Sequence, residues 1–399
     1  MGAAEIKDQL AAHHHEIDGI AFRLYGIGDR DRRDIEASFT VAASPIADDE
    51  QAETEDEAED EPAPADAHQL TSGLLSYAVG CAFGRWDVRF ATSECPAPIL
   101  PDPFAPLPVC APGALTGDDE LPTDTPPHDY PLNIARDAIL LDDSGHSGDF
   151  DGSVRAVFET IWPTRADEIY REAARLLDSR DDNLRAWLAK NFFADHLKRY
   201  SKSRRKAPIY WQLATPSASF SVWLYYHRFT TDTFYKVVND YVKPKIDHEE
   251  LRLARLRQEA GSEPTRSQRR DIEAQEAFVA ELKTFREEAE RVAPLWRPNL
   301  NDGVIINFAP LWRLVPQHKG WQKECKAVWD NLVGGYYDWS NLAMRLWPER
   351  VVPKCQKDLS LAIAHNLTEA FWQQDDDGKW QPKEVAPGAV ERLVVERAS

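Results

Sequence analysis

Between His196 and Ala207 the sequence carries six bases, Lys198, Arg199, Lys202, Arg204, Arg205 and Lys206, and no acid. A run this dense suits neutralisation of several backbone phosphates, which gives an affinity that falls steeply with salt. Aromatic residues follow at once. Tyr210, Trp211, Trp223 and Tyr225 lead into His227 and Arg228, and Arg228 suits the edge of a guanine or the face of a base. Tyr225, His227 and Arg228 therefore join the basic run as candidate DNA-binding residues. The same residues have plainer uses. A basic run also serves as a solvated face or as the partner of an acidic segment, and aromatic residues of a hairpin more often fill a core. Trp296, Trp312, Trp321, Trp329, Trp339 and Trp347 read most simply as packing residues.

Positioning those groups falls to a small β element. Pro208 to Leu213 and Phe220 to Phe229 read as two strands around the turn Thr215–Pro216–Ser217. Alternation puts Phe220, Val222, Leu224 and Tyr226 on one face, and Trp223, Tyr225 and His227 on the other. A helix with Phe234, Val237, Val238, Tyr241 and Val242 follows, closed by Pro244.

Upstream, Glu5 to Ile27 has helical periodicity, with His13 to His15 pointing in different directions and so poorly placed to chelate one ion. Leu74 to Phe83 is apolar, Cys95 to Pro131 is rich in proline and glycine and reads as a surface loop, and order returns near Ile139. Val154, Val157, Phe158, Ile161 and Trp162 make a helical stripe. Thr164 to Asp167 resembles a capping box for the next helix.

Downstream, Asp247 to Val292 reads as a charged helical hairpin with a coiled-coil-like seam through Phe278, Leu282, Phe285, Ala289 and Val292. Val304 to Phe308 reads as a short strand, and three helices follow, on Trp321–Leu332, Leu342–Trp347 and Leu359–Phe371. The fold class expected is mixed α+β and helix-dominated. Its divisions are an N-terminal helical segment (1–47), an acidic disordered linker (48–68), a Pro/Gly-rich irregular segment (69–135), a DNA-contacting α/β region (136–245), a charged arm (246–293), a helical C-terminal region (294–375) and a polar, loosely held tail (376–399).

The formal net charge of −20 argues against nucleic acid only at first sight. Ten of the acids lie between Asp48 and Glu61, with no base among them, so local patches decide. The five cysteines form no C-x-x-C pair, which speaks for reduced thiols rather than zinc or disulfides. No stretch nears the roughly 20 apolar residues of a membrane helix, and Met1 to Leu10 lacks a secretory pattern, so a cytoplasmic protein without membrane contact is expected.

Several phrases together resemble one family. Phe192 to Trp211 (FFADHLKRYSKSRRKAPIYW) and Trp223 to Phe234 (WLYYHRFTTDTF) resemble the region after the catalytic domain in BREX-type (PglX-like) and related type IIG-like adenine DNA methyltransferases. Asn301 to Trp372 is similar over DGVIINFAPLW, WQKECK, YDWSNLAMRLWPERVVPKC and DLSLAIAHNL, and Ile20 to Ile27 (IAFRLYGI) also fits. The resemblance implies an enzyme whose N-terminal part binds S-adenosylmethionine and methylates adenine, while the C-terminal part selects the DNA sequence.

The family's catalytic motifs are not in this sequence. Thr125–Pro126–Pro127–His128 is no Asn/Asp-Pro-Pro-aromatic motif, and no glycine-bearing cofactor turn or phosphate-cradling G-x-x-x-x-G-K-[ST] run occurs. No catalytic residue, metal or cofactor is expected here, and S-adenosylmethionine is expected in a catalytic partner. The expected partners are double-stranded DNA and a methyltransferase catalytic chain or other defence-system subunits. A non-enzymatic scaffold of a defence complex, a truncated methyltransferase fragment and an enzyme of unrecognised type are the alternatives.

Overall fold

In the computed structural model, residues 3–28, 31–33, 66–99, 106, 108–179, 183–202, 205–375, 377–386 and 388–398 are described. The acidic run Asp48 to Glu61 lies outside them. The chain divides into two units, residues 1–70 and 71–399. The first contains α1 (Ala3–Leu24), on which His13 and His15 are exposed, as are Ile17, Ile20 and Leu24 of the apolar stripe.

The second unit is built on a three-stranded antiparallel sheet. After α2 (Ala67–Ala82) and a long irregular segment come β1 (Ile139–Leu141), α3 (Phe150–Ile161), α4 (Ala166–Leu176), α5 (Leu184–Lys190) and α6 (Phe192–Arg199). A two-stranded ribbon, β2 (Ser201–Lys202) and β3 (Arg205–Lys206), precedes β4 (Tyr210–Ala214) and β5 (Ser221–Tyr225). The sheet order is β1-β5-β4, with Gln212 opposite Trp223 and Leu140 on the other side of Trp223.

Both sheet faces are buried, so the predicted alternation sorts residues between two cores rather than between core and solvent. On one face Trp223 stacks on Phe150 at 4.5 Å and meets Phe192 at 5.5 Å, so α3 and α6 cover it. On the other, Trp211 packs against Phe308 at 4.2 Å and Trp296 at 5.7 Å, and Phe220 against Phe285. The sheet is the middle layer between two helical layers, an arrangement that needs apolar residues at every strand position.

Beyond β5, α7 (Thr233–Lys236) runs through a π-helical stretch, Val237–Val242, into α8 (Lys243–Ala260), and α9 (Arg266–Val292) folds back along it. Pro244 does not close the helix as the sequence predicts. It falls where the π-helical stretch passes into α8, and this wider register before it accommodates the ring and the missing N–H. The hairpin arm itself is present, its second helix opened by a capping box of Thr265 and Gln268.

The rest of the unit is helical: α10 (Val304–Phe308), α11 (Lys319–Gly334), α12 (Asn341–Leu346), α13 (Pro348–Cys355), α14 (Leu359–Ala364) and α15 (Thr368–Phe371). Val304 to Phe308 is thus a helix, not the expected strand. Asn307 donates to the carbonyls of Gly303 and Asn299, and Phe308 packs on Trp211, so tertiary context overrides the β-branched run. The predicted third helix breaks in two at Asn366, which takes a left-handed φ of 55°. The capping box expected at Thr164 is absent, since Arg165 occupies the N-cap position without a side-chain bond.

Residues after Gln373 are no loose tail. Strands β6 (Trp372–Gln374) and β7 (Trp380–Pro382) pair, and α16 (Ala389–Ala398) lays Val390, Leu393 and Val394 on a second core around Leu332, Val351 and Phe371. Among the tryptophans read as packing residues, Trp296 and Trp321 are buried, whereas Trp339 is exposed. Among the described residues no helix is long and apolar enough to cross a membrane. The architecture is helix-dominated α+β with one small antiparallel sheet at its centre.

Candidate nucleic-acid interface

The basic run folds into the end of α6 and the ribbon that follows it. Lys198 is exposed on α6. Arg199 donates to Ser72 Oγ at 2.7 Å and pairs with Asp195 at 3.3 Å. Lys202 pairs with Arg205 across the ribbon, and Ser201 with Lys206. Lys206 reaches 118 residues along the chain to the Glu324 carboxylate on α11. Arg204 lies outside the described residues, and only the backbone of Lys202 and Arg205 is described. No periodicity in the sequence marks the ribbon, because each strand is only two residues long.

The end of β5 differs from the expected strand in a way that shapes the site. The extended conformation stops at Tyr225, and Tyr226–Arg228 forms a 3-10 turn. Tyr225 stays 7% exposed with its ring in the core beside Phe83, so it offers no open stacking face, while His227 turns out to solvent. Arg228 is half-buried. Its Nη2 donates to the carbonyls of Gly84, at 3.0 Å, and Thr123, and its guanidinium lies 5.8 Å from the centre of the Tyr225 ring. Nη1 of the same guanidinium is buried and has no hydrogen-bond partner among the described residues. Burial holds the Arg228 pKa below the usual range, with Tyr225 and Asp124 acting the other way.

Arg85, which sequence reasoning missed, stands opposite. Its guanidinium lies over the Trp86 indole at 4.3 Å and donates from Nη1 to the Tyr200 hydroxyl at 2.7 Å. No carboxylate pairs with Arg85 or Arg228 among the described ion pairs. Trp86 is fixed in turn by Gly80, where an added Cβ would lie 2.2 Å from the indole. Gly84, at φ +65°, brings its backbone against Arg228 in a conformation costly for other residues. The two arginines line a cleft of about 680 Å³, walled by Trp86, Thr123, Tyr225 and His227. Thr123 belongs to the proline-rich segment read as a mere surface loop.

Behind the cleft, His196 on α6 is fully buried. Its Nε2 accepts the backbone N–H bonds of Ile209 at 3.0 Å and Tyr210 at 3.1 Å, and its ring packs between those of Tyr200 and Tyr210. Burial, aided by Arg85 and Arg199, holds its pKa down at about 3, so it is a neutral structural acceptor and not a proton shuttle.

At the passage from β1 to α3 the described residues leave no open helix N-terminus for S-adenosylmethionine. Among the described residues the three sheets are antiparallel, and the passage from β1 to α3, although it carries Gly145 and Gly148, ends on Asp149. That carboxylate accepts from the Gly152 amide at 2.8 Å and pairs with Arg185, so it already occupies the helix N-terminus where the carboxylate or ribose of a ligand would bind. Cys81 is buried, and Cys95 and Cys110 are half-exposed free thiols.

No family model matches the chain. It is 24% identical over 321 residues to the adenine-specific methyltransferase PglX of Lacticaseibacillus casei (strain Zhang), a match covering 76% of this chain and 22% of that protein. It is 23% identical over 265 residues to the adenine-specific methyltransferase BrxX of Escherichia coli O9:H4 (strain HS), covering 62% and 20%. The chain thus spans about a fifth of the length of the curated relatives it matches. By these matches it is a distant relative of adenine-specific methyltransferases.

Proposed function

We propose that this chain is the DNA target-recognition part of an adenine-methylating, BREX-like phage-defence system and acts with a separate catalytic domain that holds S-adenosylmethionine. The observation that carries the reading is the junction at Tyr200. The last residue before the cationic ribbon bonds to Arg85, so the ribbon and a cleft lined by two arginines without carboxylate partners run into one another. A two-stranded ribbon is narrow enough to follow a groove of duplex DNA, and the basic composition of this run suits phosphate. The relatives' names supply the methylation context, and they concern proteins about five times longer than the matched region.

The test is fluorescence anisotropy of a labelled duplex over a range of salt concentrations. Neutralising Lys198, Lys202, Arg204 and Arg205 to glutamine is expected to weaken binding and to flatten the slope of log K against log salt, by about 0.9 for each phosphate that is no longer neutralised. Binding by the unaltered chain that ignores salt, or an unchanged slope in the variant, sinks the proposal.

A further inference from the structure

We propose that the cleft between Arg85 and Arg228 is a nucleotide pocket, which takes one unstacked nucleoside monophosphate unit. It deepens the DNA reading above and rests on it only where that unit belongs to a DNA strand.

Three features point to a nucleotide rather than to a bare anion or an apolar ligand. First, the charge at the cleft is cationic and underused. Arg85 and Arg228 face it without carboxylate partners among the described ion pairs, Arg228 Nη1 is buried with no hydrogen-bond partner there, and Asp124 is the one acid on the wall. An incoming phosphate would bond to the accessible guanidinium N–H groups on the wall, and charge-assisted bonds of this kind are about twice as strong as neutral ones. Second, about 680 Å³ is far more than a phosphate fills and lies in the range of sites for whole small ligands. Third, the guanidinium of Arg85 lies 4.3 Å over the centre of the Trp86 indole, with Gly80 behind the ring, so a cation and an aromatic ring are held together at the wall where a base can stack. Thr123 and Asp124, together with the exposed ring of His227, set polar groups around the edge where a base carries its donors and acceptors.

The source of the nucleotide is either a DNA strand that has released one base or a free nucleotide, and the chemistry of the pocket is the same for both. Cys110 lines the cleft and is half-exposed, while Cys95, also half-exposed, is not among its walls. Alkylation of the two thiols by iodoacetamide, read peptide by peptide, therefore reports occupancy with an internal control. The arms are the full chain with 5′-dAMP, with inorganic phosphate, with a fully paired duplex and with the same duplex bearing one bulged adenine.

Slowing of Cys110 alkylation by about three-fold at a ligand concentration twice its Kd, with Cys95 unchanged, is expected for dAMP, for the bulged duplex or for both. Protection by dAMP alone assigns the pocket to a free nucleotide, and protection by the bulged duplex alone assigns it to DNA. Protection that Arg85→Gln abolishes supports the proposal. Should that variant melt early, Val109→Glu at an exposed position of the wall puts a negative charge there without touching the core, and it is expected to cut protection as well. A Cys110 rate unmoved by every nucleotide, or equal protection by inorganic phosphate, overturns it. Anisotropy on the same samples separates the two readings: duplex binding with Cys110 unprotected removes the pocket and keeps the DNA interface, and dAMP protection without duplex binding does the reverse.

Discussion

The Tyr200 hydroxyl accepts a 2.7 Å hydrogen bond from Arg85 Nη1, and this one contact ties together segments 115 residues apart in the chain. Tyr200 caps the C-terminus of α6 and immediately precedes the ribbon, and Arg85 lies on the wall of the cleft. The ring of Tyr200 also leans on His196, whose Nε2 holds the start of β4, so the surface is anchored to the central sheet. A loop-borne arginine fixed in this way meets a ligand without having to be ordered first.

Tyr200→Phe removes that hydroxyl and leaves the ring packing. A hydrogen bond to a charged donor contributes about 1.5–3 kcal/mol when buried and less when half-exposed, so the loss in duplex affinity is expected to be about three- to ten-fold. Arg85→Ala should cost more, because it removes the cation as well. Anisotropy with a labelled duplex checks both. Wild-type affinity in Arg85→Ala, in a chain that melts normally, would separate the cleft from DNA contact.

His196 makes stability depend on pH. Its ordinary value is 6.5 and the folded value about 3, because burial and the nearby Arg85 and Arg199 oppose the cation. His318, also held down by burial, sits at about 4. A histidine depressed in the folded state binds its proton preferentially in the unfolded chain. The stability contributed by neutral His196 is therefore fully present above about pH 6.5 and is lost as pH falls towards 3. At about 1.4 kcal/mol for each pH unit per group, several kcal/mol are at stake. Thermal melts between pH 7 and 4 should show a steep decline that is shallower in His196→Gln, whose side-chain oxygen still accepts the Ile209 and Tyr210 N–H bonds. Parallel curves for the two proteins would contradict this account.

How much of this was legible in the sequence depends on the range of the interaction. The apolar alternation of Phe220 to Tyr225 assigned the two sheet faces, and the heptad-like steps from Phe278 to Val292 marked the arm, because both patterns are local. The third strand, Ile139–Leu141, was missed, since three apolar residues carry no period. So was Arg85, a lone arginine after an apolar helix. Nothing near it in sequence says that Tyr200 and Arg228 will stand beside it. Val304 to Phe308 read as a strand by composition, and became a helix through the side chain of Asn307 and the packing of Phe308 on Trp211.

Gly80→Ala tests the rigidity of the cleft wall. A Cβ at this position would lie 2.2 Å from Trp86 Cδ1 and 2.6 Å from Nε1, too close for either to remain, and the α2 backbone cannot retreat because Ala78, Val79 and Cys81 are fully buried. Trp86 should be driven into the cleft, with overpacking costs of about 1–3 kcal/mol. Arg85 would lose its support. The expected signature is a lower melting temperature together with a loss of duplex affinity larger than that of Tyr200→Phe. A destabilised variant with undiminished affinity would show that the position of Trp86 is irrelevant to binding.

Glu324→Gln makes a prediction of the opposite sign. Glu324 on α11 pairs with Lys206 at the base of the ribbon, with both side chains about one-third exposed, 31% and 36%. A pair so open to solvent contributes only about 0–1 kcal/mol to folding, so the melting temperature should hardly move. Its larger effect is on the field of the ribbon, where the carboxylate cancels one of the charges that would meet phosphate. Removing it leaves Lys206 with its charge uncompensated, so duplex affinity at low salt should rise by a few-fold and the salt dependence should steepen. If Glu324 instead served mainly to hold the ribbon in a binding-competent position, the same substitution would weaken binding. The direction of the change in Kd, read with the salt slope, decides whether the ribbon acts through its charge.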